Sequence, residues 1–71
     1  MIAEKIERLV AEMVDKDVQF EDAVREFEKR FISQVLGRYD GSLTKTAEAL
    51  GIHRNTLTRK MLEYKVKRRA T

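Results

Sequence analysis

The stretch 43–62, LTKTAEALGIHRNTLTRKML, limits the possible folds of this chain more than any other segment. A single glycine, Gly51, divides it, and glycine takes the left-handed conformation that ends a helix without steric cost. Ala47 supplies a small side chain where two helices must approach closely. Leu57 and Met61 are four residues apart, so they share one face of a helix. This spacing predicts two short helices joined by a tight turn, which is the helix-turn-helix arrangement.

The second of these helices, predicted over residues 53–64, carries side chains that suit DNA. Arginine can form two hydrogen bonds to a guanine edge, and asparagine can do the same to adenine. We therefore expect Arg54 to be the main base reader, with Asn55 and Arg59 as partners. A solvated polar helix face is the alternative for any one of them alone. The full set of expected DNA contacts is Ser42, Thr44, His53, Arg54, Asn55, Thr56, Thr58, Arg59 and Lys60.

The start of the third helix and the flank of the fourth are expected to contact the DNA backbone. Thr56 and Lys60 suit phosphates, because a hydroxyl or an ammonium group needs no base edge. Ser42 is a plausible N-cap of the third helix, and it lies with Thr44 where free backbone amides also attract anions. His53, at the start of the recognition helix, is expected to act as a cap or a phosphate contact.

The first forty residues predict two amphipathic helices, over about 2–15 and 19–38, with a loop between them. Their apolar stripes are larger than two short DNA-reading helices can cover. A second copy of the chain is the simplest cover and gives a four-helix bundle from two protomers. A monomer with the first helix folded back on the second is the alternative. The expected dimer interface is Ile6, Leu9, Val10, Met13, Val24, Phe27, Phe31 and Val35.

The balance of acidic and basic residues also changes at about residue 40. Residues 1–40 hold ten acidic and seven basic residues, whereas residues 41–71 hold two acidic and eight basic ones. A polyanion-binding face therefore belongs to the C-terminal half. We expect one all-α domain with four helices over residues 1–71. Residues 1–40 would form the dimerisation helices, 41–66 the helix-turn-helix, and 67–71 a basic tail.

Composition excludes several other classes. The 71 residues contain no cysteine and no proline, and His53 is the one histidine. The usual His and Cys metal sites are therefore missing, and no arrangement of residues supports catalysis or cofactor binding. We expect neither enzymatic activity nor a cofactor. No apolar run is long enough to span a membrane, so we expect a cytoplasmic protein at the nucleoid.

A family resemblance sharpens the DNA-binding expectation. The segment 54–61, RNTLTRKM, preceded by the A-x-x-L-G-I pattern of 47–52, resembles the helix-turn-helix of the Fis family. That family includes Fis and the C-terminal DNA-binding domains of NtrC-type enhancer-binding activators, and the resemblance covers roughly residues 18–66. It implies an intertwined dimer that bends DNA, with base contacts at the position of Arg54. It also implies DNA contacts at the positions of Ser42, Thr44, His53, Thr56, Arg59 and Lys60.

Three positions depart from the family pattern. His53 stands where Fis carries asparagine, and Thr58 stands where it carries a basic residue. Lys65 replaces the usual glycine after Tyr64. We expect the DNA preference of this protein to differ most at these positions.

The sequence therefore predicts a sequence-specific, DNA-bending homodimer that acts as a bacterial transcription regulator or nucleoid-associated protein. Double-stranded DNA is the expected partner, and RNA polymerase or other transcription machinery is left open as another. The alternatives are a DNA-binding domain excised from a larger NtrC-type activator, a helical protein-interaction module, or an RNA-binding protein. RNA is disfavoured because the deep, narrow groove of an A-form helix admits no recognition helix.

Overall fold

The computed structural model describes residues 1–66, which form four α helices and no strand. The helices are α1 (Ile2–Asp15), α2 (Phe20–Arg38), α3 (Leu43–Leu50) and α4 (Arg54–Tyr64). The predicted all-α, four-helix organisation is confirmed. The basic tail predicted over 67–71 lies outside the described residues.

Two helices begin one residue later than predicted, because the residue before each is an N-cap with extended backbone. Gln19 precedes α2 with φ −72° and ψ 147°, and His53 precedes α4 with φ −71° and ψ 146°. Ser42 caps α3 as predicted, since its Oγ accepts a hydrogen bond from the backbone N–H of Lys45 at 3.3 Å. Such a cap satisfies one of the amides that a helix leaves unpaired at its start.

All four helices end in the same backbone turn. In each, a residue with positive φ follows the last turn, and the next residue donates its N–H five positions back, as from Val18 to Met13 at 3.0 Å. This is the Schellman motif, which satisfies carbonyls left free at the helix end. The positive-φ residues that end the four helices are Asp17, Asp40, Gly51 and Lys65. Glycine takes this conformation without strain and aspartate tolerates it, but a lysine there costs conformational energy.

The closed core lies between α2, α3 and α4. Its buried members are Ile32, Leu36, Ala47, Leu57, Met61 and Tyr64. Leu57 is fully buried, and Ala47 is 4% exposed, so the small side chain predicted for the approach of α3 to α4 is confirmed. Ile52 packs against this core from the turn.

Helix α2 presents two apolar faces and not the single stripe that its sequence suggested. Ile32 and Leu36 are buried in the closed core, whereas Phe27 and Phe31 remain 54% and 50% exposed. The two phenylalanine rings contact each other, with centroids 5.5 Å apart. Leu36 faces α3 and α4 together with Ile32, because residues four apart follow one side of a helix.

Helix α1 contributes no buried residue. Its Leu9 and Met13 line an open groove with Phe27, Phe31 and Val35 of α2. We call the eight residues of the expected dimer interface the α1–α2 apolar surface; six of them are exposed, and Met13 and Val35 are partly buried. No helix within residues 1–66 has the length and apolar character needed to cross a membrane.

Candidate nucleic-acid interface

The turn between α3 and α4 has the geometry that a helix-turn-helix requires. Gly51 adopts φ 73°, and Ile52 donates its N–H to the carbonyl of Ala47 at 3.1 Å. A Cβ added to Gly51 would meet nothing within 4 Å, so the glycine is needed for its backbone conformation and not for space. The predicted short turn at Gly51 is thus confirmed, and it sets the direction in which α4 leaves α3.

The N-terminus of α4 is capped by His53. Its Nδ1 accepts a hydrogen bond from the backbone N–H of Asn55 at 3.1 Å, so the predicted cap is confirmed. In a neutral imidazole with Nδ1 as acceptor, Nε2 carries the proton and can donate outward. His53 is exposed, so this second nitrogen is available to a phosphate.

The solvent-exposed outer side of α4 carries four of the nine expected DNA contacts. Arg54, Asn55, Thr58 and Arg59 are exposed, whereas Leu57, Met61 and Tyr64 of the same helix are buried. The Thr58 hydroxyl donates to the carbonyl of Arg54 at 3.1 Å. Its proton is therefore used within the helix, and what Thr58 can still present is an acceptor oxygen and a methyl group.

At the start of α3, Ser42 is partly buried and Thr44 is exposed. The Ser42 oxygen already accepts the capping hydrogen bond, so its hydroxyl proton remains able to donate to a phosphate.

Thr56 and Lys60 are partly buried, unlike the other expected contacts on α4. Lys60 Nζ lies 2.6 Å from Oε1 of Glu28 on α2, and the hydroxyl of Tyr64 donates to the same oxygen at 2.8 Å. The Lys60 and Glu28 side chains are 27% and 29% exposed. Lys60 therefore lies at the border between the outer side of α4 and its contact with α2.

These contacts shift the pKa of each member of the group. The hydrogen bond from Lys60, and then that from Tyr64, holds the pKa of Glu28 below its usual value. The same carboxylate raises the pKa of Lys60 and the pKa of Tyr64 through their hydrogen bonds to it. Each shift favours the state in which Glu28 is ionised, Lys60 is charged and Tyr64 keeps its proton.

The sequence did not predict the contacts of Glu28 with Lys60 and Tyr64. Glu28 is 32 positions from Lys60, and no local spacing rule links residues so far apart. Within the described residues, no group of three or more acidic or histidine side chains is placed to hold a metal ion.

These features define a helix-turn-helix domain: a close approach of α3 to α4, a left-handed glycine between them, and a capped, basic second helix. The chain belongs to the Fis family, because the sequence model described as "Bacterial regulatory protein, Fis family" matches residues 23–64. As a Fis-family helix-turn-helix domain it is a DNA-binding regulatory domain. Comparison with curated proteins and with solved structures gave no match.

Proposed function

We propose that this protein binds DNA as a sequence-specific homodimer, bends it, and acts as a transcription regulator or nucleoid-associated protein. The observation that carries the proposal is that Arg54, Asn55 and Arg59 of α4 are exposed while other residues of the same helix fix it in the closed core. A rigidly seated helix with free bidentate donors suits base readout in a major groove. Such a protein acts on the bacterial chromosome, in the nucleoid, where RNA polymerase is a further candidate partner.

We assign the base contacts chiefly to Arg54, with Asn55 and Arg59 beside it. The phosphate contacts fall to both flanks: Ser42 and Thr44 at the start of α3, and His53, Thr56 and Lys60 on α4. Thr58 fits an apolar contact with a thymine methyl group, because its hydroxyl proton is engaged by the backbone of Arg54.

The proposed dimer forms through the α1–α2 apolar surface. Half-exposed phenylalanines are unfavourable in water, and a two-fold arrangement of two such surfaces covers both at once. Two-fold symmetry also presents two copies of α4 to a palindromic site. If the two helices are closer than one turn of straight DNA, as the family resemblance implies, the DNA must bend to meet both.

Dimerisation and DNA reading fall to different parts of the chain, but both parts contribute residues to the closed core. We propose that residues 1–40 pair the protomers and that residues 41–66 read DNA. Helix α2 serves both roles, since Ile32 and Leu36 pack with α3 and α4 while Phe27 and Phe31 face the proposed partner. The distance between the two recognition helices would then be set directly by the dimer core.

The test is selection of bound duplexes from a random pool, followed by affinity measurements over a range of salt concentrations. We expect a palindromic site, binding that weakens steeply with salt, and a dimer by sedimentation. A phasing assay on the selected site should show bending. Absence of salt-dependent duplex binding would refute the DNA-binding proposal, and straight DNA in the complex would refute bending alone.

Substitution of Arg54 tests the base-reading assignment. Arg54→Ala should lower the affinity for the selected site by about 1–3 kcal/mol and relax preference at one position in each half-site. Arg8→Ala, which removes an exposed arginine from α1, is the matched control and should leave that preference unchanged. If the selected sequence is the same with and without Arg54, another residue reads the base.

A further inference from the structure

Among residues 1–66, the ion pair that joins two different helices connects the DNA-reading helix to α2. It runs from Lys60 Nζ to Glu28 Oε1 at 2.6 Å, whereas Lys16–Glu12 and Arg30–Glu26 each lie within one helix. Both Glu28 and Lys60 are less than a third exposed, which strengthens their interaction relative to a fully solvated pair.

Tyr64 fixes the carboxylate in this place. Its hydroxyl donates to the same oxygen of Glu28 at 2.8 Å, and its ring is buried in the closed core. Glu28 therefore has a second hydrogen bond that remains when Lys60 turns toward another partner. The hydrogen bond from Tyr64 therefore keeps the Glu28 carboxylate beside α4.

The position of Lys60 makes this pairing relevant to DNA. It follows Arg59 directly and lies one helical turn after Thr56, at the edge of the expected phosphate-contacting flank. An ammonium group has three donors, so Lys60 can touch a phosphate while bonded to Glu28. An unpaired lysine releases a condensed cation when it neutralises a phosphate, and this release drives sequence-independent binding. A lysine already neutralised by a carboxylate gains much less.

We propose that Glu28 is an affinity-tuning residue that neutralises Lys60 and so limits the sequence-independent, phosphate-driven part of DNA binding. The inference rests on the DNA-binding function proposed above. It adds a residue of α2, outside the helix-turn-helix, to the determinants of DNA affinity. Glu28 acts through Lys60 and does not itself touch DNA.

The experiment compares Glu28→Gln with the wild-type full chain on two duplexes, the selected site and a random sequence of equal length. Binding is followed by fluorescence anisotropy over a range of salt concentrations. Glu28→Gln should steepen the dependence of log affinity on log salt by about 0.9 for each Lys60 that engages a phosphate, on both duplexes. Relative to equal affinities at 1 M salt, this extra slope of about 0.9 corresponds at 0.1 M salt to about eightfold tighter binding for each Lys60.

Glu26→Gln is the matched control, because it removes the same charge from the same helix. Glu26 pairs with Arg30 at 3.2 Å within α2 and makes no ion pair with α4. Its substitution should steepen the salt dependence by less than half as much as Glu28→Gln. Circular dichroism melts of each variant confirm that the comparison is made between folded proteins.

Lys60→Met is a second variant, which tests the restraint of Lys60 by Glu28 even if Glu28→Gln does not fold. In the wild-type background it should change the salt slope by much less than 0.9 per protomer. In the Glu28→Gln background it should remove the extra steepness. These two outcomes support restraint of Lys60 by Glu28.

Equal slopes for Glu28→Gln and Glu26→Gln would overturn the inference, as would a full loss of about 0.9 per protomer from Lys60→Met in the wild type. Both results require a wild-type protein that binds duplex DNA. A wild type with no salt-dependent binding refutes the proposed function itself, so the two failures are distinguishable.

Discussion

Helix α2 lies between one region that buries its apolar side chains and another that leaves them exposed. On one side, Ile32 and Leu36 are buried with α3 and α4 in a closed core. On the other side, Phe27 and Phe31 stay about half exposed above the groove to α1. The closed region holds α4 in place through contacts within one chain. The open region leaves large apolar side chains in water, and the proposed second copy is what would cover them.

The largest expected effect comes from removing a ring from the open region. If a second copy covers the α1–α2 apolar surface, Phe31→Ala should lower the free energy of unfolding by about 3–5 kcal/mol and weaken the dimer. In an isolated chain the same half-exposed ring should cost only about 1 kcal/mol. Urea unfolding at two protein concentrations, with sedimentation of both proteins, distinguishes these cases.

Leu62→Ala is the control for that measurement, because Leu62 is 76% exposed on α4 and lies outside the α1–α2 apolar surface. It should change stability by less than about 0.5 kcal/mol. A Phe31→Ala protein that resembles Leu62→Ala in both stability and mass would contradict the proposed dimer surface.

In the closed region, removal of a fully buried side chain should lower the free energy of unfolding by the same amount at every protein concentration. Leu57 is fully buried, so Leu57→Ala should lower the free energy of unfolding by about 2–5 kcal/mol, including in the Phe31→Ala background. Leu57→Met, which nearly conserves volume, should cost less than about 1.5 kcal/mol. A loss below 1 kcal/mol for the alanine variant, measured by urea unfolding, would show that the core can collapse around the cavity.

How far the sequence predicts each region depends on the range of the interactions that build it. The helix-turn-helix follows from local signals: Gly51 for a left-handed turn, Ala47 for a close approach, and Leu57 and Met61 four residues apart. The caps at Ser42 and His53 are equally local. Such features are readable because the residues that determine them are within a few positions of one another.

The parts that escaped prediction depend on contacts between distant segments. The division of α2 into two apolar faces requires knowing that Ile32 and Leu36 meet α3, which periodicity alone does not give. The link from Glu28 to Lys60 and Tyr64 joins residues more than thirty positions apart. Lys65 gave a partial signal, because a lysine stands where the family carries glycine, and the positive φ found there explains that preference.

A smaller effect is expected at the end of the closed region, where Lys65 adopts φ 57° after α4. Lys65→Gly should raise the free energy of unfolding by about 1 kcal/mol, because glycine adopts this conformation without strain. Lys65→Ala removes the same charge but keeps the strained conformation, so it should give no gain in a thermal or urea melt. Equal gains from both variants would attribute the effect to charge instead of backbone.

The smallest effect concerns the ion pair that borders the two regions. Glu28 has its pKa lowered from an ordinary value of 4.5, so its contribution to stability is present above that value and is lost as acid protonates it. Lys60 and Tyr64 have pKa values raised from 10.5 and 10.0, so their contributions are present below those values and are lost in alkali. The stability difference between wild type and Glu28→Gln should therefore be flat between about pH 5 and pH 10, at about 1 kcal/mol or less, and shrink on both sides. Urea unfolding of both proteins, from below this pH range to above it, measures the difference. A difference that does not change with pH would mean that Glu28 stabilises α4 by packing, without help from its charge.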